Sequence, residues 1–97
     1  MKIYRGDRTI DGIVVTVDGS PLDHYLDVKA FSDQGFEWAY AGSEPQQLAL
    51  ALLVDHGVDA ERAVALSAAY MRAVTSKLEN TWTLSSADIE TVLTTLV

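Results

Sequence analysis

The spacing of apolar positions changes near residue 42. Before it, apolar residues come in short alternating runs broken by Gly6, Gly12, Gly19 and Gly35. After it, they recur at helical spacing in an Ala- and Leu-rich stretch. Residues 2–5 predict a short strand. Residues 10–17 (IDGIVVTV) are strongly β-branched and run into the turn dipeptide Asp18-Gly19, which Ser20-Pro21 continues. Leu26, Val28 and Ala30 alternate with Asp27, Lys29 and Phe31, a weaker strand signal that ends at a turn over 32–35. Phe36, Trp38 and Tyr40 alternate with Glu37 and Ala39. That pattern predicts a strand with three aromatics on one face.

Three helices follow. Ser43 is the expected N-cap of the first, with Pro45 in its first turn and Gln46 three residues on, as in a capping box. Gly57 marks its end, and His56 sits beside the negative end of the dipole. Residues 48–54 are apolar on every side, which predicts a helix buried between the sheet and another helix. The second helix is expected from 59 or 60 to 79. Its apolar stripe is Ala63, Leu66, Ser67, Tyr70, Met71, Val74 and Leu78. Ala65, Ala68 and Ala69 mark a second, shallow contact surface, suited to a homodimer or an accessory subunit. After an extended segment at 81–84, Ser85 caps a third helix with Asp88 three residues on. Ile89, Val92, Leu93 and Leu96 are its apolar side. The whole predicts one α+β domain over 1–97, strand-rich over 1–42 and helix-rich over 43–97. Its small antiparallel sheet of N-terminal strands is packed by about three C-terminal helices.

Composition narrows the chemistry. The chain has 97 residues, 48% hydrophobic, with 7 Lys and Arg against 14 Asp and Glu, a formal net charge of −7. That is enough for a modest core and does not describe a disordered acidic tail. Without cysteine there is no disulfide framework, zinc ribbon or thiol nucleophile. The acidity opposes direct binding to nucleic-acid phosphates. The first eight residues lack the apolar core of a signal peptide, and no apolar stretch reaches the roughly 18 residues of a membrane span. A cytoplasmic protein that does not engage a membrane is expected.

Candidate chemistry is sparse. His24 follows Asp23 and His56 follows Asp55, yet neither histidine has a second ligand at the spacing of a metal motif. Their plain roles are a loop residue and a helix-end cation. Serines are present without a G-x-S-x-G elbow, and no phosphate-cradling glycine motif occurs. Glu44 opposes an anion at the helix start after Gly42. No metal and no cofactor is expected. The aromatics at 36, 38 and 40 resemble a base-stacking platform, but Glu37 lies among them where such platforms carry Lys or Arg, so a core face is the better reading. Acids crowd the first 44 residues: Asp7, Asp11, Asp18, Asp23, Asp27, Asp33, Glu37 and Glu44, against Lys2, Arg5, Arg8 and Lys29. Turn chemistry and solubility explain many of them. Together they also make a negative surface suited to a basic partner.

Residues 35–53, GFEWAYAGSEPQQLALALL, resemble the signature FEWGY-x-GSGP-x-QLALALL of a family of small domains of unknown function. The VTVDG of residues 15–19 matches its hairpin element, and Trp82-Thr83-Leu84 a later W-x-L element. Ala39 and Glu44 stand where the family often has Gly, which implies that neither position needs a glycine-only conformation here. The resemblance implies a compact α+β domain carried by microbes and by mobile elements such as phages, without an assigned activity.

Size, acidity, the lack of cofactor motifs and the mobile-element association together predict a non-enzymatic protein-binding module. Its most concrete form is a phage-type inhibitor of host defence, anti-CRISPR-like, with Asp23, Asp27, Asp33 and Glu37 contacting a basic or nucleic-acid-binding protein. The alternatives are a small enzyme or ligand-binding protein with a site near His24 and His56, and a dimeric accessory subunit.

Overall fold

The computed structural model describes residues 1–96; Val97, the last residue of the expected domain, lies outside the described residues. Two tight hairpins open the chain. β1 (Ile3–Thr9) turns through Ile10 and Asp11 into β2 (Gly12–Val17), and β2 turns through Asp18 and Gly19 into β3 (Ser20–Pro21). Asp18 and Gly19 both take positive φ (50° and 84°), the backbone that matches a two-residue hairpin to strand twist. Asp18 also ties the turn to β1, since its carboxylate accepts the Ile3 amide at 2.9 Å.

β4 (Thr81–Ser85) comes from the far end of the chain and pairs with the other side of β1. The antiparallel sheet therefore runs β3-β2-β1-β4. The helix-rich half thus supplies an edge strand, and the sheet is not confined to residues 1–42. Opposed residues share a face, so Tyr4, Gly6, Val15 and Trp82 are buried on the inner side while Arg5, Asp7, Thr81 and Thr83 face solvent. Gly6 lies directly opposite Trp82, and its missing side chain is required: a Cβ there would collide with the indole.

Three helices share one hydrophobic core with the inner side: α1 (Ser43–His56), α2 (Ala60–Ala73) and α3 (Ser86–Leu96). Leu48, Ala49, Leu50, Ala51, Leu52 and Leu53 are all fully buried, as a helix apolar on every side requires. α1 ends at Gly57 (φ 114°), whose amide bonds Val54 O while the Val58 amide bonds Leu53 O. α3 starts with Ser85 as the expected cap, and the structure adds a return bond from Asp88. Ser85 Oγ accepts the Asp88 amide at 3.1 Å, and Asp88 Oδ2 accepts the Ser85 amide at 2.9 Å. No described helix is long and apolar enough to cross a membrane.

Four local expectations are corrected. The N-cap of α1 is Gly42, with no side-chain capping bond; Ser43 is already helical, and Gln46 donates to Ser67 Oγ at 3.0 Å on α2 instead. α2 stops at Ala73 and a 3-10 turn follows at Thr75–Lys77, because buried Thr75 bonds Pro45 O at 2.8 Å and pulls the chain onto α1. Residues 26–30 form no strand; the Val28 and Lys29 amides both turn back onto Tyr25 O. Residues 36–40 form none either. Phe36 and Trp38 are buried, as a core face demands, but Ala39 at φ 75° breaks the alternation and leaves Tyr40 43% exposed.

Candidate functional site

Between β3 and α1 the chain runs from 22 to 42 without regular structure, so its backbone polar groups need other partners. Gln47, fully buried on α1, supplies four of them. Its Oε1 accepts the Phe31 and Ser32 amides at 2.7 and 3.2 Å, and its Nε2 donates to His24 O and Lys29 O at 2.7 and 3.0 Å. The far end of the loop is held by Arg8 on β1. The Arg8 guanidinium donates to Glu37 Oε1 at 2.6 Å, Trp38 O at 2.8 Å and Asn80 Oδ1 at 2.7 Å, and lies 4.8 Å from the centre of the Trp38 ring. An irregular segment is thereby fixed at both ends.

Fixing the loop leaves a groove of about 720 Å³ between it and the sheet. Ile13, Val15, Leu22 and Phe36 give it apolar walls, and the His24 ring stacks flat on Phe36 with centroids 4.1 Å apart and planes 10° apart. One wall is the outer edge of β2. The last bond on that edge is from the Leu22 amide to Val15 O, at 3.1 Å. Ile13 backbone groups point the same way by alternation and face the groove past the end of β3. Gly35, Phe36 and Glu37 line the same groove, and their backbone groups make no hydrogen bond to another backbone group among the described residues.

The four acids expected at a contact surface divide. Asp23, Asp27 and Asp33 are exposed on the loop; Asp23 accepts the Tyr25 amide at 3.0 Å and Asp33 accepts Gln34 Nε2 at 2.8 Å, which leaves their charges facing solvent. Glu37 is half-buried and its charge is met by Arg8, so it anchors the loop and is not a free surface carboxylate. Tyr40 donates to Glu44 Oε1 at 2.8 Å; desolvation first, and this bond second, push its hydroxyl up to about 12.

His24 and His56 are not brought together. His24 lines the groove, whereas His56 bonds Glu90 Oε2 at 2.8 Å beside a separate cavity of about 430 Å³ near Asp59 and Arg62. Among the described residues no group of three His, Asp or Glu side chains converges as a metal site needs. Sequence reasoning missed Gln47, Arg8 and the edge at Ile13. Gln47 left a signal, because a polar side chain leading into an all-apolar helical run must find buried partners. Arg8 and Ile13 left none, since their roles depend on register and on where β3 stops.

A model for a family of unknown function (DUF6166) matches residues 4–95 of this chain. No curated protein and no solved structure matches it.

Proposed function

The chain belongs to the family of unknown function DUF6166, and from that premise we propose a non-enzymatic protein-binding module that presents loop 22–42 to a basic partner. The observation that carries this reading is a surface held rigid and left negatively charged. Asp23, Asp27 and Asp33 are exposed on a loop pinned by Gln47 and Arg8, with Lys29 as the loop's single Lys or Arg. Ordering before binding lowers the entropic cost of association, and a field of one sign steers a partner of the other. The separation of His24 from His56 favours binding over a reaction built around both.

A basic groove that normally holds nucleic acid is the natural counterpart of such a surface, so an inhibitor of a host nucleic-acid-binding defence complex is the finer form of the proposal. The test is capture of host proteins on the immobilised chain, with a matched chain carrying Asp23→Lys, Asp27→Lys and Asp33→Lys as control. Partners retained by the first, lost on the second and displaced by added DNA support the reading. An identical set on both chains contradicts it. Unchanged phage restriction on expression would remove the defence-inhibitor form alone.

A further inference from the structure

The geometry points to a specific occupant for the groove: an extended peptide carrying Lys or Arg at alternate positions, added as a strand to the outer edge of β2. This rests on the protein-binding reading and names the partner's chemistry at the same surface.

The edge itself is the first argument. β3 is two residues long, and its Pro21 has no amide to donate. Past the Leu22–Val15 bond, the Ile13 amide and carbonyl are aimed outward. Such an edge is a template for another strand. The second argument is that Gly35, Phe36 and Glu37 line the groove as well, and that their backbone groups also lack a backbone partner among the described residues. A strand paired with Ile13 would lie in the same groove as these unpaired groups. Its alternate side chains would enter walls made by Ile13, Val15, Leu22 and Phe36, and 720 Å³ lies within the roughly 300–1,000 Å³ of ligand clefts.

Charge selects the peptide. Asp11, Asp23 and Asp33 each adjoin a residue lining the groove, and none is paired with a cation. The side chains turned away from the walls would therefore stand among carboxylates, where Lys or Arg is favoured. A second copy of this chain could offer an edge strand too, but it would bring the same carboxylates and a formal charge of −7.

The test is a titration of the isotope-labelled full chain with a capped heptapeptide of alternating lysine and valine, followed through the backbone amides by NMR. The expected result is saturable binding with shifts centred on Ile13, Gly35 and Phe36, weakened at least tenfold when the amide of the central valine is methylated. The glutamate counterpart should not bind. Shifts confined to Asp23, Asp27 and Asp33, with affinity indifferent to methylation, overturn strand addition while leaving the protein-binding reading standing. The absence of any shift also overturns it, and the capture experiment above then decides the broader reading separately. Concentration-dependent shifts at Ile13 without peptide, with a dimer in light scattering, would make a second copy the occupant and overturn the basic peptide.

Discussion

Gln47 Oε1 accepts the Phe31 amide at 2.7 Å, joining a fully buried helix side chain to the middle of a loop that has no regular structure of its own. The same amide group serves Ser32, His24 and Lys29. Gln47→Leu keeps the volume and strands four backbone groups. Each buried group left unmade costs about 1–3 kcal/mol, less where water can reach it. A loss of about 3 kcal/mol is expected in chemical denaturation. Amide exchange at Phe31 and Ser32 should accelerate more than exchange in β1. Equal acceleration everywhere would mean that Gln47 supports the whole core and not the loop.

Ala39 carries a backbone cost. Its φ of 75° lies in the left-handed region, where a Cβ is crowded, and its amide is fixed to Thr75 O at 2.9 Å. Position 39 thus takes a backbone that favours glycine without requiring it, whereas Glu44 sits in ordinary helix. Ala39→Gly should relieve about 1 kcal/mol of strain, partly offset by the greater freedom of glycine in the unfolded chain. A raised midpoint in thermal or urea unfolding checks it. A lowered midpoint would show that the fold has absorbed the strain.

Tyr4 is fully buried and its hydroxyl has no hydrogen-bond partner among the described residues. Burial first, then the nearby Asp55 and Asp18, push that hydroxyl above its ordinary value of 10.0. A proton held more tightly in the folded state than in the unfolded one sets the sign. The associated stability is complete below about pH 10 and is lost as pH rises beyond it. Tyr4→Phe should leave the neutral-pH fold unharmed or stabilise it by about 1 kcal/mol, because an unmade buried bond disappears. It should also flatten the alkaline loss, as read by circular dichroism between pH 8 and 12. A substantial loss of stability at pH 7 would reveal a partner for the hydroxyl, such as a buried water.

Local chemistry carried most of the fold. The Asp18-Gly19 turn, the glycine stop of α1, the Ser85 cap of α3 and the all-apolar run of α1 each depend on a few neighbouring residues, and each formed as expected. The alternation at Phe36, Trp38 and Tyr40 misled because burial of two aromatics does not need a strand. At Trp38 and Ala39 the backbone found partners outside a sheet, in Arg8 and Thr75, distant in sequence. The same distance hid half of the site. The exposed acids were legible one by one, but the neutralisation of Glu37 required knowing that β1 passes beside it.

Glu37 and the exposed acids should therefore respond differently to charge reversal. Asp23→Lys, Asp27→Lys and Asp33→Lys together move the formal charge from −7 to −1, two units for each residue. They disturb no ion pair. Folding stability should change little, about 0.5 kcal/mol for each residue. Association with the lysine–valine peptide should slow by about tenfold or more at low salt, while dissociation changes less. Glu37→Lys reverses this profile. It places a second cation against the Arg8 guanidinium, removes the acceptor of the 2.6 Å bond and loosens the wall of the groove. Its main effects should be a lower unfolding midpoint and faster dissociation. Stopped-flow binding at two salt concentrations, beside urea unfolding, separates the two classes. Matching on-rates for the triple variant and the parent would show that the acids of the loop do not steer the partner.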